Sequence, residues 1–168
     1  VGRLVSFSNG RAKITNFSSA TSVTATTQKN FDNTNAVTNW KLGAFSGTTG
    51  HPSCVSFFEQ RLVFAGTTAE PQTLYFSKSG DYENMTSGTN ADDAMIYTIA
   101  SNQVNKVRYL KAQRTLIVGT TGGEFTISAD GTDAAITPTN IVIKKQSSYG
   151  TAEVDAIAAG NAILFLQK

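Results

Sequence analysis

Histidine, cysteine and tryptophan each occur once in these 168 residues, and proline only three times. Cys54 alone cannot form an internal disulfide, and on an apolar strand it serves as small core filler. His51, directly before Pro52, reads as a turn residue, and a single histidine leaves no Ser-His-Asp or Cys-His set to assemble. His51 and Cys54 together fall short of the three or four convergent ligands that zinc needs. No run of about 18 apolar residues is present to cross a membrane, and no signal peptide is visible. Charge is also scarce: 15% of residues are Asp, Glu, Lys or Arg, against roughly 25% in typical globular chains. The net charge is +2 and only Lys144-Lys145 are adjacent, so no basic stripe marks tight, sequence-reading nucleic-acid binding. The chain starts at Val1 rather than Met, as expected of a piece of a longer protein.

Ser and Thr are abundant, Gly reaches 14 and strong helix formers are thin, which predicts an all-β chain. At 17.8 kDa it suits one domain or one domain with a flanking piece. Leu4 to Ser8, Ala12 to Phe17 and Ser22 to Thr26 alternate weakly, as short strands with one wet face do. The polar, Asn-rich run Gln28 to Thr38 reads as a linker. Two parts are therefore expected: an N-terminal β segment and linker over residues 1–39, and a second unit over 40–168.

The second unit contains a repeat. Val55 to Thr67 and Arg108 to Thr120 each carry Gln-Arg, four residues, then Gly-Thr, and both markers are offset by the same step (119 − 66 = 53; 114 − 61 = 53). A fainter third copy spans Ala156 to Leu166, with Gly160-Asn161 at the turn. Further strands are expected at Gln72 to Ser77 and Ala94 to Ala100, then at Gly123 to Ser128 and Asn140 to Gln146. Four antiparallel strands recurring at about 50 residues predict irregular β-propeller-like blades: two blades and the start of a third, a partial propeller with N-terminal β strands beside it. Gln60-Arg61 and Gln113-Arg114 are then equivalent hairpin turns, and Gly66 and Gly119 equivalent glycines.

Paired carboxylates are the main catalytic alternative, since propellers host glycosidases. Asp81, Glu83, Asp92-Asp93 and Glu124 are the candidates, but Asp81 follows Gly80 in a turn and Asp92-Asp93 lie in a polar run. Glu59 falls within an apolar strand and reads as a satisfied carboxylate bonding turn amides or an arginine. Gly122-Gly123 lacks both a following helix and Gly-Lys-Ser/Thr, so a hairpin turn is expected there rather than a phosphate loop. Trp40, Phe57, Phe58, Phe64, Tyr75, Phe76, Tyr109 and Phe125 alternate within strands, as inter-blade core does.

From Trp40 onward the residues resemble a known family. Trp40-Lys41-Leu42-Gly43-Ala44-Phe45-Ser46, Gly50-His51-Pro52, Phe57, Arg61-Leu62-Val63-Phe64-Ala65-Gly66-Thr67, Pro71-Gln72 and Ser77-Lys78-Ser79-Gly80-Asp81-Tyr82-Glu83-Asn84 closely resemble the tail tubular protein B, or nozzle, family of short-tailed bacteriophages. Later pieces fit as well: Asp93-Ala94, Ile99-Ala100-Ser101, Val107 to Leu110, Leu116 to Glu124, Tyr149-Gly150 and Ile163-Leu164-Phe165. His51 departs by replacing a usual aromatic, and Phe45 and Tyr75 stand where tryptophan is frequent. The Ser77 to Tyr82 stretch also loosely resembles the Asp-box turn of sialidase propellers, with Gly and Asp in the other order.

The resemblance implies a virion structural protein, hexameric in the assembled tail, built around an irregular β-propeller and forming part of the conduit for DNA ejection. It implies no enzyme activity, catalytic residue, cofactor or metal. Its motif residues, all structural, are Trp40, Gly43, Gly50, Pro52, Phe57, Arg61, Leu62, Gly66, Thr67, Pro71, Ser77, Gly80, Asp81, Gly119 and Thr120. The implied partners are other phage tail proteins on the adaptor or portal side, further copies of the chain and, transiently and without specificity, passing DNA; no membrane is involved. The implied place is the virion tail, assembled in the bacterial host cytoplasm. Family chains are considerably longer, so a domain-sized fragment is expected. Low charge density suits a wall past which DNA slides, because each ordered phosphate contact adds affinity. It suits equally the alternative, a β-propeller tail module that binds or hydrolyses host surface glycan.

Overall fold

The computed structural model describes residues 3–131 and 134–168, and among them every regular element is a strand. The chain divides into two compact units, Val1–His51 and Pro52–Lys168.

The first unit is one antiparallel sheet of β1 (Leu4–Phe7), β2 (Gly10–Ser19), β3 (Ser22–Lys29) and β4 (Lys41–Leu42), in the order β3-β2-β1-β4. Ser8 and Asn9 both take positive φ, 41° and 56°, the primed turn that matches strand twist and closes the Phe7↔Gly10 pair. The expected single wet face holds only near β1. The far half of β2 and all of β3 are exposed on both faces, as their Ser- and Thr-rich sequence allows. β4 pairs with β1 through Val5↔Leu42 and Ser6↔Lys41. Trp40 to His51 therefore belong with the N-terminal strands, and the boundary between units lies at 51/52 rather than 39/40.

The second unit holds two four-stranded antiparallel meanders and a hairpin. β5 (Cys54–Phe58), β6 (Arg61–Ala65), β7 (Thr73–Phe76) and β8 (Met95–Thr98) form the first; β9 (Val107–Ala112), β10 (Leu116–Thr120), β11 (Gly123–Ala129) and β12 (Ile141–Ser147) form the second. β13 (Ile157–Ala159) and β14 (Ala162–Leu164) pair around Gly160-Asn161. Every strand expected from the repeat is present, and among the described residues no closed ring forms. One apolar cluster joins the two meanders, with Val63, Ala65, Leu74 and Phe76 from the first and Leu116, Val118, Phe125 and Ile127 from the second, all fully buried or nearly so.

Three details differ from the sequence expectation. The first hairpin turns at Glu59-Gln60, both with positive φ (46° and 58°), so Glu59 is a turn residue and Arg61 opens β6. The second turns through three residues, Gln113-Arg114-Thr115, between the paired Ala112 and Leu116. Gly66 and Gly119 are consequently not equivalent: Gly66 follows β6 with φ +76°, whereas Gly119 lies inside β10 opposite Tyr109. Finally, Phe58, Tyr75, Phe76, Tyr109 and Phe125 are core, but Trp40 and Phe57 are exposed; Phe57 alternates with Phe58 and so leaves the sheet on its open side, where it meets Tyr82 edge-on.

Candidate functional site

Arg61 is the centre of one polar constellation. It sits where β6 leaves the tight turn, and its side chain is only 2% exposed. Nη1 donates to the carbonyls of Ser77 (2.8 Å) and Asp93 (2.7 Å), with a longer contact to Asp92 (3.3 Å); Nη2 donates to Ala91 (2.7 Å). Burial pushes the guanidinium down from its ordinary pKa, against the pull of Asp92, Glu59 and Asp93, but arginine remains charged in proteins. The charge therefore holds a long loop through main-chain oxygens, which exist whatever side chains the loop carries.

Ser77 completes this knot. Its N–H donates to Leu62 O (2.8 Å), and its Oγ accepts from Leu62 N–H (2.9 Å) and donates to Lys78 O (3.0 Å). Gly80, at φ +72°, donates to Gln60 O at 2.9 Å. Outside, Lys78 Nζ lies 2.8 Å from Asp92 and 4.0 Å from Asp93. The hydrogen bond to Asp92 raises the lysine pKa and lowers that of the carboxyl, and Asp81 adds to the same field. The structure thus brings Arg61, Leu62, Ser77, Gly80 and Asp81 together, and the Lys78 hub is a part the sequence reading missed. Glu83 is exposed beside it.

Gly66, Thr67 and Pro71 form a second group at the β6–β7 loop. Thr67 Oγ1 accepts from Glu70 N–H (3.0 Å), and Pro71 O accepts from Val107 N–H (2.9 Å). In the second meander Thr120 Oγ1 donates to Gly123 O at 2.6 Å, so both matched threonines hold the turn that follows them, and the hairpin expected at Gly122-Gly123 turns one residue earlier, through Thr121-Gly122, with Gly123 opening β11. In the first unit Gly43 N–H donates to Leu4 O (2.8 Å), and Gly50, at φ +83°, closes a short loop with Ser46.

A row crosses the second meander: Tyr109, Gly119, Glu124 and Ser147 stand opposite one another on four successive strands. Tyr109 and Glu124 are both buried. Ser147 Oγ donates to Glu124 Oε2, while Glu124 Oε1 and the Tyr109 hydroxyl have no protein partner. Burial raises the Glu124 pKa despite Lys145 and the residue's own backbone N–H, and burial followed by Glu124 pushes Tyr109 up to about 12. Phe165 lies over Tyr109, with ring centroids 6.2 Å apart. The sequence offers Glu124 as a candidate carboxylate, but its row becomes visible only once the register is known.

The other candidates stand apart. Glu59 Oε2 accepts from Ile136 N–H at 2.6 Å, a carboxylate bonding a loop amide as expected. Cys54 is buried core, its thiol pKa raised by desolvation, and His51 is exposed beside the unit boundary. Among the described residues no three His, Cys, Asp or Glu side chains converge as a metal site. No known family model and no curated protein matches the chain.

Proposed function

We propose that this chain is a structural component of a short-tailed phage tail, a blade-bearing part of the conduit for DNA ejection that acts by assembly and not by catalysis. The observation that carries the reading is the use made of the motif residues: Arg61, Ser77, Gly80, Thr67 and Pro71 all engage backbone groups. Such residues specify the path of the chain, as a scaffold requires. The glycosidase alternative has less support, because Asp81, Asp92 and Asp93 gather around Lys78 while Glu124 is enclosed in the other meander.

The way the meanders stack supports the blade reading. In β6, Ala65 O accepts from Ser53 N–H and Leu62 O from Ser77 N–H, so by alternation Val63 and Ala65 direct their backbone groups to β5. In β10, Thr115 O accepts from Gln113 N–H and Thr121 N–H donates to Lys106 O, so Leu116 and Val118 direct theirs to β11. For L-residues the side toward which the backbone groups point fixes the face from which the side chain leaves. Val63 and Leu116 therefore leave their meanders from opposite faces, yet they share one core. Two sheets meeting through opposite faces can be followed by a third in the same sense, which is how blades follow one another.

The test is genetic and structural. A phage carrying this gene should place the product in its virions, and deletion should yield particles that are defective in tail assembly or have lost packaged DNA, with replication normal. Normal virions from the deletion strain would remove the proposal.

A further inference from the structure

The Asn-rich run of the first unit closes over a cleft of about 380 Å³ lined chiefly by Phe7, Phe31, Asn33, Asn35, Val37 and Trp40. Its floor is fixed. The Phe7 and Phe31 rings stack with centroids 4.2 Å apart and planes within 10°, and a Cβ on Gly10 would overlap the Phe31 ring. The rim is held as well: Asp32 N–H donates to Ser8 O at 3.0 Å, Asn9 Nδ2 to Asp32 Oδ2 at 2.6 Å, and Asn35 N–H to Asn33 Oδ1 at 3.1 Å. Trp40 nonetheless leaves 54% of its surface to solvent, and none of the lining residues is charged.

We propose that this cleft binds a neutral saccharide, with a pyranose ring against Trp40 and its hydroxyls on the amides of Asn33 and Asn35. The electron-rich face of an indole accepts the weakly positive C–H face of a sugar. A side-chain amide offers two donors and an acceptor with two lone pairs, a match for neighbouring hydroxyls. The Asn35 amide group is wholly available, and Asn33 keeps its Nδ2 donors. A nucleotide would want a cation for its phosphate, and a purely apolar ligand would strip water from the amides without replacing their bonds. The site lies in the first unit and stands or falls independently of the tail reading.

Trp40 is the sole tryptophan of the chain, so its emission reports on the cleft directly. The whole chain is titrated with methyl glucoside, methyl galactoside, N-acetylglucosamine and the corresponding trisaccharides, following fluorescence and the Trp40 indole N–H resonance. A saturable change in both with at least one sugar is expected. Asn35→Ala keeps the fluorophore and should weaken binding roughly 3- to 10-fold, the loss of one or two neutral hydrogen bonds. The absence of a saturable response from the unaltered chain to every sugar overturns the proposal whatever the variant does. So does binding that Asn35→Ala and Asn33→Ala both leave unchanged.

Discussion

Cys54 and Val107, one repeat length apart at 53 residues, meet across the two meanders: the Cys54 thiol lies 3.6 Å from the Val107 carbonyl oxygen. The same carbonyl would stand 2.9 Å from a Cβ on Gly66, whose own φ is +76°. The first strands of the two sheets thus approach at a point where the chain has no room for another side-chain atom.

Gly66→Ala is therefore expected to destabilise the second unit by about 1–3 kcal/mol, from left-handed backbone strain and overpacking together. At Gly119 the cause is different, because a Cβ there would enter the Tyr109 ring at 2.0 Å and must displace a buried aromatic. A similar loss of about 1–3 kcal/mol follows, and Tyr109→Ala should make Gly119→Ala nearly neutral while leaving Gly66→Ala as costly as before. Urea melts of the three single and two double variants check both statements; additivity of Tyr109→Ala with Gly119→Ala would contradict the second.

Arg61→Met should cost on the order of 3 kcal/mol, since it leaves several carbonyls of the 77–93 loop without a charged donor. The loop should lose its hold before the sheet does. Hydrogen exchange or limited proteolysis should show new sensitivity between Ser77 and Asp93, with β9 to β12 still protected. An unchanged melt would show that the guanidinium does not anchor the loop.

Glu124 sets a pH dependence of a particular sign. Its folded pKa is raised above the ordinary 4.5 by burial, so between the two values the folded state holds more protons than the unfolded one, and stability falls as pH rises through the folded pKa. Glu124→Gln should remove that fall, gaining on the parent at neutral pH and converging with it in acid. Melts at several pH values decide it, and a variant that loses most at neutral pH would mean the carboxylate is stabilised as an anion.

The Cys54 thiol should resist a disulfide reagent such as dithionitrobenzoate in the native protein and react fully in denaturant, because its pKa is raised by desolvation and the side chain is buried. Rapid native labelling would mean that the contact between the first strands opens readily.

The strands of the second unit were legible because their apolar and β-branched runs are short, dense and bounded by Gly, Thr or Asn. The face each strand buries was not. Matching Gly-Thr pairs align Val63 with Leu116, but the second hairpin turns through three residues and not two, and a one-residue slip carries every side chain to the other face. Arg61 was legible as a motif residue, but its acceptors are carbonyls 16 to 32 residues away, and carbonyls carry no sequence signature. Around the cleft, Asn-rich sequence reads as linker because the aromatic partners that give it form, Phe7 and Trp40, lie on either side of it and outside the run.

Each meander of the second unit pairs strands only with their immediate neighbours in the chain, which bears on how the protein comes into being. Once Thr98 has left the ribosome, β5 to β8 have all their partners, whereas their buried face waits for β9 to β12. Local pairing makes the first sheet quick to form, and the interval before the second arrives is when its apolar side is open to other chains. Slowing synthesis after Thr98 has emerged should lengthen that interval, and released chains that end at Ala100 should be more prone to aggregate than chains that end at Ser147.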